Sequence, residues 1–243
     1  MRDDQKRVAL FAMCLVDQIM PEIGVAATRL LRRAGYDVDF PQKQTCCGQP
    51  FFNSGFHKEA SDIARHTIEV FEDYPAVVMP SGSCVAMIRR EYSHLFASEP
   101  AWRERAERLA ARTFELCEFL IKQARWRPSS APTGRVVTYH DSCHSTRLLG
   151  LRREPRELLT AAGCTITEMA ESDRCCGFGG LFSVRMPEVS NAMTQEKLRL
   201  AEDSGVTTLV SIDPGCLMQM RGLIHKTHLR VEHVAVVVEE ATR

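Results

Sequence analysis

This 243-residue chain contains ten cysteines, and their thiols are the side chains best suited to bind a metal or to react. Thiolate sulfur binds iron–sulfur clusters and structural zinc, and it is also a nucleophile. The cysteine content is about 4%, whereas disulfide-stabilised scaffolds exceed roughly 8–10%. Structural disulfides also do not persist in a reducing cytosol. Metal binding is therefore the first function to consider for these thiols.

An internal repeat relates most of the cysteines. Cys14 is followed, after 31 intervening residues, by the doublet Cys46-Cys47 and a glycine. Cys143 is followed, after the same 31 residues, by the doublet Cys175-Cys176 and a glycine. The two copies are 129 residues apart at each of these positions. Such a duplication predicts two copies of one module, each with its own set of thiols.

One further cysteine follows each doublet, Cys84 in the first half and Cys216 in the second. These two cysteines are 132 residues apart, so the second half contains three additional residues before its last cysteine. Residues 113–120 also align with residues 230–237, at an offset of 117. That alignment predicts 15 additional residues after Cys84 in the first half, in a charged helix around residues 101–111.

Strands and helices are predicted to alternate in each half, because β-branched runs indicate strands and glycines mark helix ends. The predicted elements of the first half are strand 7–13, helix 22–34, strand 36–40, helix 57–71, strand 76–79 and helix 85–96. The predicted elements of the second half are strand 135–140, helix 155–162, strand 165–169, helix 187–203, strand 207–212 and helix 217–225.

This alternation predicts an α/β fold with two duplicated modules, each a small parallel sheet covered by helices. A duplicated unit commonly buries the same face against its copy, so we expect the modules to be related by pseudo-two-fold symmetry. Residues 127–134 have the serine, proline and glycine content of a linker. We therefore predict a first module at residues 1–127 and a second at residues 128–243.

Each repeated cysteine follows a predicted strand. The carboxyl ends of parallel strands lie along one edge of a sheet, so thiols that are distant in sequence are expected to meet there. Several of them also precede helices, whose positive N-terminal ends favour a thiolate or an anionic cluster. The predicted groups are Cys14, Cys46, Cys47 and Cys84 in the first module, and Cys143, Cys175, Cys176 and Cys216 in the second.

Iron–sulfur clusters are commonly held by four cysteine thiolates, as each predicted group supplies. Structural zinc instead favours paired Cys-x-x-Cys hairpins, and this sequence contains none. A cluster is therefore favoured, with zinc and simple burial of the cysteines as the alternatives. Cys117 and Cys164 have no cysteine counterpart in the other half, and we expect both to be buried.

The segment His140-Asp141-Ser142-Cys143-His144 could be taken for an activated thiol. Neighbours along a strand point to opposite faces, however, so the adjacency of Cys143 and His144 does not predict a catalytic pair. Hydrogen bonding around a metal site, or simple solvation, is the favoured role for these polar residues.

The pattern Cys-x31-Cys-Cys-Gly-x35-Cys, repeated as Cys-x31-Cys-Cys-Gly-x38-Cys, resembles the cysteine-rich CCG domain family. That family includes the cysteine-rich subunit of heterodisulfide reductase and the iron–sulfur subunits of glycolate oxidase and anaerobic glycerol-3-phosphate dehydrogenase. Residues 40–50, 53–55 and 175–184 are similar to its lactate-utilization branch.

The resemblance implies one iron–sulfur cluster of the 4Fe-4S type in each module, bound by the two groups of cysteines above. It further implies an electron-transfer subunit of a complex that oxidises L-lactate to pyruvate, with two sister subunits as partners. The alternative functions are a disulfide- or quinone-reducing subunit of a related oxidoreductase and a zinc-stabilised scaffold without a redox role. Met87 and Gln219 stand where heterodisulfide reductase has a fifth cysteine, which favours a four-cysteine electron carrier over disulfide chemistry.

Composition excludes some other partners. Lys+Arg and Asp+Glu number 31 each, so no net charge indicates nucleic acid or an anionic membrane. The apolar run at residues 8–16 is shorter than the roughly 20 residues that span a bilayer, and no cleavage site follows it. We therefore expect a cytoplasmic protein with no transmembrane segment, which leaves open a peripheral contact with a membrane or a quinone.

Overall fold

Two parallel sheets form the centre of the protein, one in each half of the chain. The computed structural model describes residues 6–224 and 227–243, and within them each sheet has four strands. The strands are β1 (Arg7–Leu10), β2 (Asp37–Asp39), β3 (Val77–Met79), β4 (Thr113–Glu115), β5 (Val136–Tyr139), β6 (Thr165–Ile166), β7 (Thr208–Ser211) and β8 (Arg230–His233). The sheet orders are β2-β1-β3-β4 and β6-β5-β7-β8, so the second sheet repeats the topology of the first.

Helices connect and cover the strands. In the first half they are α1 (Met13–Gln18), α2 (Pro21–Arg33), α3 (Gln49–Asn53), α4 (His57–Phe71), α5 (Gly82–Ala86), α6 (Tyr92–Leu95), α7 (Pro100–Ala111) and α8 (Leu116–Glu118), with π-helical segments Met87–Glu91 and Phe119–Gln123. In the second half they are the π-helical segment His144–Leu148, then α9 (Arg153–Ala161), α10 (Leu181–Arg185), α11 (Pro187–Asp203), α12 (Pro214–Arg221) and α13 (Val234–Ala241). Among the residues described, no helix is both long and apolar enough to cross a membrane.

The predicted α/β class with two duplicated modules is confirmed. The predicted strands and helices are all present, but the fourth strand of each sheet and the helices α1, α3, α8, α10 and α13 were not predicted. The first strand ends at Leu10, before the predicted residue 13, because Met13 adopts a positive φ of 49° and begins α1. The predicted end of the last second-half helix, His225, lies outside the described residues.

Backbone pairing aligns the two modules residue by residue. Phe11 N donates to Val78 O at 3.0 Å, and His140 N donates to Val210 O at 2.8 Å. These matched bonds confirm the offset of 129 at the first strand and the offset of 132 at the third.

The offset of 117 at the fourth strand is wrong. Glu115 pairs with Met79, and His233 pairs with Ser211, which makes the offset 118. Both residues also begin a helix in the same way, since their side chains accept a hydrogen bond from the backbone N–H two residues later. Sequence similarity could not show this match, because the two equivalent residues are a glutamate and a histidine. The carboxylate and the imidazole nevertheless cap their helices in the same way.

The modules contact each other through reciprocal pairs of helices. Helix α2 of the first module packs on α13 of the second, and α9 of the second packs on α8 and the following π-helical segment of the first. Helix α5 likewise contacts the segment His144–Leu148, while α12 contacts α1. Equivalent elements exchange places in these contacts, as the predicted pseudo-two-fold relation requires.

Alternation along β1 separates two apolar cores. Val8 and Leu10 join the core between the modules, whereas Ala9 and Phe11 face the core that contains the repeated cysteines. Each sheet therefore has one face toward the other module and one toward its own thiols.

A buried carboxylate links the two modules. The side chain of Glu239 on α13 is 3% exposed, and its oxygens lie 3.0 Å from Arg33 Nη2 on α2 and 2.8 Å from Arg243 Nη2. The guanidinium of Arg243, with those of Arg29 and Arg33, lowers the pKa of Glu239. The carboxylate is thus charged, buried and paired across the interface.

We expect Glu239→Ala to lower the free energy of unfolding by roughly 1–3 kcal/mol, because Arg33 loses a buried partner. Urea denaturation measures this loss. The control is Asp62→Ala on α4, where the exposed pair with Lys58 at 3.3 Å should contribute less than about 0.5 kcal/mol. Equal small losses in the two variants would show that Glu239 does not hold the modules together.

Candidate metal centres

The four repeated cysteines of the first module lie together beyond the ends of adjacent strands. Cys14 lies on α1 after β1, Cys46 and Cys47 in the loop after β2, and Cys84 on α5 after β3. The Sγ atoms of Cys14 and Cys46 are 3.7 Å apart, and the thiol of Cys47 interacts with those of Cys46 and Cys84. We call these four residues the first thiol group.

The second thiol group, Cys143, Cys175, Cys176 and Cys216, repeats this arrangement. The thiol of Cys175 interacts with those of Cys143 and Cys176, and Cys176 interacts with Cys216. Each doublet therefore bridges the cysteine that follows the first strand and the cysteine that follows the third. Since β5 lies between β6 and β7, the strand order alone brings these loops together.

The two remaining cysteines lie elsewhere. Cys117 is fully buried and Cys164 is 5% exposed, and both pack in the apolar core between the modules. Burial raises the pKa of the Cys117 thiol well above its usual value. The expectation that both are buried, apart from the repeated thiols, is confirmed.

Each thiol group contains one strongly acidic member. Hydrogen bonds from Cys14 and Cys47 lower the pKa of Cys46 to about 3, and the N–H of Gly48 donates to its Sγ at 3.4 Å. In the second group, hydrogen bonds from the neighbouring thiols lower the pKa of Cys175 to about 2, and its Sγ receives the equivalent glycine N–H at 3.4 Å. Each group thus has a thiolate at physiological pH.

The cysteine on the first strand loop of each group keeps its proton because it hydrogen-bonds to that thiolate. The hydrogen bond to Cys46 raises the pKa of Cys14, and the equivalent bond to Cys175 raises the pKa of Cys143. Four thiolates at these distances repel one another unless positive charge replaces the protons. Binding a metal or an iron–sulfur cluster supplies that charge and releases protons. The four-sulfur donor sets fit such a group.

The glycine after each doublet has a positive φ, 84° at Gly48 and 89° at Gly177. This conformation turns the glycine N–H back toward the thiolate, and it favours glycine at both positions. The space around the two glycines differs. A Cβ on Gly177 would lie 2.4 Å from Ser190 O, whereas a Cβ on Gly48 would meet nothing closer than Ile63 Cγ2 at 3.4 Å.

Polar side chains fix the carbonyl groups of the doublets. Tyr92 donates its hydroxyl to Cys47 O at 2.9 Å, and Thr194 donates to Cys176 O at 2.7 Å. Gln219 donates to the Thr194 hydroxyl at 3.1 Å, while Met87 is buried in the apolar core. Gln219 therefore supports the hydroxyl that holds the second doublet, and Met87 packs in the apolar core that includes the first doublet.

His140 is a buried polar residue beside the second thiol group. It has no exposed surface, and neither ring nitrogen has a hydrogen-bond partner among the residues that the structure describes. A ring nitrogen lies within 4.8 Å of the Sγ atoms of Cys176 and Cys216. Burial, together with the nearby charge of Lys197, lowers the pKa of His140 to about 3, so the imidazole is neutral.

Lys197 is a second buried polar residue, and sequence patterns did not indicate it. Its Nζ donates to Glu171 O at 2.7 Å and to Ser172 O at 3.1 Å, and burial lowers its pKa to about 8. It lies within a predicted helix, where a lysine is normally assigned to the solvent-exposed face. The repeat could have indicated that this lysine is buried, since the offset of 129 aligns Lys197 with the apolar residue Ile68 of the first module.

Cys143 and His144 are in contact, contrary to the expectation from strand geometry. Strand β5 ends at Tyr139, so both residues lie in the helical turn beyond it, and His144 Nδ1 is 3.5 Å from Cys143 Sγ. Because Cys175 raises the pKa of Cys143, this contact does not produce an activated thiol.

The second thiol group opens into a pocket whose wall includes Gln49 and Ser83 of the first module. Asp213, which begins α12, accepts a hydrogen bond from Ser83 N at 2.8 Å. The loop of the second site is therefore anchored on the first module.

A protein-family model described as a cysteine-rich domain, CCG, matches this chain twice, at residues 8–89 and 137–221. Each match contains one complete thiol group. The family signature therefore coincides with the structural repeat.

Several curated proteins are similar to this chain over nearly its full length and carry the same name. Lactate utilization protein A of Exiguobacterium sp. (strain ATCC BAA-1283 / AT1b) is 46% identical over 97% of this chain and 98% of its own. The proteins of that name from Halalkalibacterium halodurans and Bacillus subtilis (strain 168) are 42% and 43% identical, over 98% and 96% of this chain and 98% of theirs.

A solved structure, the crystal structure of a hypothetical protein from Helicobacter pylori, has a similar fold, with a TM-score of 0.70 at 10% sequence identity. The match covers 98% of this chain, which spans about half (49%) of that protein. At this identity the likeness concerns the fold alone.

The matched glycines allow a test of the loop geometry. We expect Gly177→Ala to lower the free energy of unfolding by roughly 3 kcal/mol or more, because the new Cβ overlaps a backbone carbonyl. Gly48→Ala should cost about 1 kcal/mol, since only the positive φ opposes it. Urea denaturation of both variants gives the comparison. If the two losses are equal, the crowding at Gly177 does not exist in solution.

Proposed function

The chain belongs to the cysteine-rich CCG domain family, and on this basis we propose that it is an iron–sulfur electron-transfer subunit. The observation that carries the proposal is the pair of matching thiol groups, each with four sulfurs joined through a central doublet. We propose that each group binds one 4Fe-4S cluster, the composition for which four cysteine ligands are the common case.

We propose Cys14, Cys46, Cys47 and Cys84 as the ligands of the first cluster, and Cys143, Cys175, Cys176 and Cys216 as the ligands of the second. The doublets and glycines present sulfur and backbone N–H groups to the same centre. Apolar side chains pack around the inner cysteines of each group. Bound clusters supply one-electron oxidation and reduction, at potentials that the surrounding charge and hydrogen bonds determine.

We also propose that the ligand sets belong to separate modules with a boundary near residue 127. Residues 127–134 contain no helix or strand. Within them, Ser130 N and Thr133 N donate to carbonyl groups of Ala161 and Gly163 in the second half. The segment thus packs on the second module, which supports a second module at residues 128–243.

The biological role follows from the relatives. Proteins named lactate utilization protein A are similar over nearly the whole chain, so we propose that this subunit acts in the oxidation of L-lactate to pyruvate, with sister subunits as partners. It would take electrons from the subunit that oxidises the substrate and pass them to a further carrier or a quinone. A cytoplasmic location agrees with ten free cysteines, because a reducing compartment keeps ligand thiols available.

The metal content decides between this proposal and a zinc-stabilised scaffold. Protein purified without air should contain iron and acid-labile sulfide at about eight atoms of each per chain, for two four-iron clusters. Elemental analysis and a sulfide assay provide the measurement. Stoichiometric zinc without sulfide would refute the electron-transfer proposal.

Single ligand substitutions test whether the modules are independent. Because each thiol group lies on its own sheet, we expect Cys46→Ser and Cys175→Ser each to remove one cluster and retain half of the iron. Cys164→Ser is the matched control, since Cys164 is buried away from both groups and its loss should leave the iron unchanged. Loss of all iron from either ligand variant would show that the two sites are not independent.

A further inference from the structure

A buried position directly after the first strand differs between the two modules. Phe11 and His140 occupy equivalent places, since each donates its backbone N–H to the third strand of its sheet. Phe11 is fully buried and stacks on Phe71 with ring centroids 4.6 Å apart. His140 is equally buried, but it brings a polar ring to the same point of the second module.

Neither ring nitrogen of His140 makes a well-formed hydrogen bond with the residues that the structure describes, although the backbone of Ser172 interacts with the ring. A neutral imidazole has one N–H donor and one acceptor nitrogen, and a buried donor without a partner is unfavourable. The carbonyl of Ser172 is nearby, but it already accepts from Asp141 N at 2.9 Å and from Lys197 Nζ at 3.1 Å. The Sγ atoms of Cys176 and Cys216 lie within 4.8 Å of a ring nitrogen and are further acceptors.

Building on the proposed function, we propose that His140 donates its ring N–H to a sulfur of the second cluster site and thereby raises the reduction potential of that site above the value that a phenylalanine would give. Reduction adds negative charge that is shared by the sulfurs, and a hydrogen bond to sulfur stabilises that charge. Phe11 offers no donor at the first site.

Other substitutions around the two sites counteract each other. Lys197 brings a positive charge where the first module has Ile68, and Asp213 brings a negative charge where it has Ser81. Asp213 accepts hydrogen bonds from Ser83 N and Gly215 N, and Lys197 donates to two carbonyls, so both charges are held near the second thiol group. His144 Nδ1, 3.5 Å from Cys143 Sγ, is a further ring nitrogen beside these sulfurs, and the first module has Leu15 at that position. The inference for His140 therefore concerns its own contribution to the potential.

The test measures the potential of each site separately. In Cys46→Ser only the second cluster should remain. In that background, His140→Phe should shift the redox equilibrium of this cluster toward the oxidised form by about tenfold, which is about 59 mV for a one-electron couple. His140→Gln keeps an N–H donor and should retain most of the original potential. A redox titration followed by electron paramagnetic resonance gives the values.

Two controls separate this effect from a structural one. In the Cys175→Ser background, which should retain the first cluster, His140→Phe should not change the potential. In that same background Phe11→His should raise the potential, because it adds the donor to the first site. This reverse substitution also decides the matter if His140→Phe fails to fold.

An unchanged potential in His140→Phe with full iron content would overturn the inference. Loss of the second cluster in both His140→Phe and His140→Gln would overturn it too, since His140 would then be a ligand. A failure of the proposed function is distinct, because the unmodified chain would then contain no iron and sulfide.

Discussion

Mutual repulsion among four closely placed sulfurs is the constraint on which the rest of this structure depends. Three adjacent parallel strands end at one edge of each sheet, and the loops beyond them bring the sulfurs of Cys14 and Cys46 to 3.7 Å. Without a cation the thiols share protons around one thiolate, as the opposite pKa shifts of Cys14 and Cys46 show. Positive charge from a metal or cluster allows all four sulfurs to ionise. Glycine N–H groups and buried apolar side chains then serve to hold this charged centre.

Packing between the modules explains why such a centre can be held by short strands. The strands have only two to four residues, so the sheets alone bury little apolar surface. The reciprocal contacts of α2 with α13 and of α9 with α8 add a second core on the opposite face of each sheet. Glu239 and Asp213 link the modules by ionic and hydrogen bonds at the two ends of this contact. A rigid pair of sheets can therefore present two preformed thiol groups.

Sequence patterns predicted the two parallel sheets and the membership of both thiol groups, because the repeat spacing and the strand-end rule act over long distances. The fourth strands were missed for a local reason. The strand Thr113–Glu115 is only three residues long, and a helix follows it directly. The buried Glu115 caps the N-terminus of that helix. Lys197 was missed because helical periodicity assigns lysine to the surface. Here the lysine is buried, and its ammonium group donates hydrogen bonds to two backbone carbonyl groups. The ring nitrogens of His140 lack a well-formed hydrogen bond because nearby carbonyl groups already accept from other donors. The sequence does not show which donors these carbonyl groups have, since that depends on the fold.

Divergence between the two halves concerns the surroundings of the thiols, and this has a consequence for electron transfer. Two clusters with the same ligands and the same backbone donors would have the same potential, and an electron would favour neither. The proposed relay needs a difference in potential between its two sites. The two halves differ near the thiols at residues outside the thiol groups: His140 opposite Phe11, Lys197 opposite Ile68 and Asp213 opposite Ser81. The charges of Lys197 and Asp213 have opposite signs, and the proposed hydrogen bond from His140 would add to the difference between the two sites. A more easily reduced second site favours electron movement from the first module to the second.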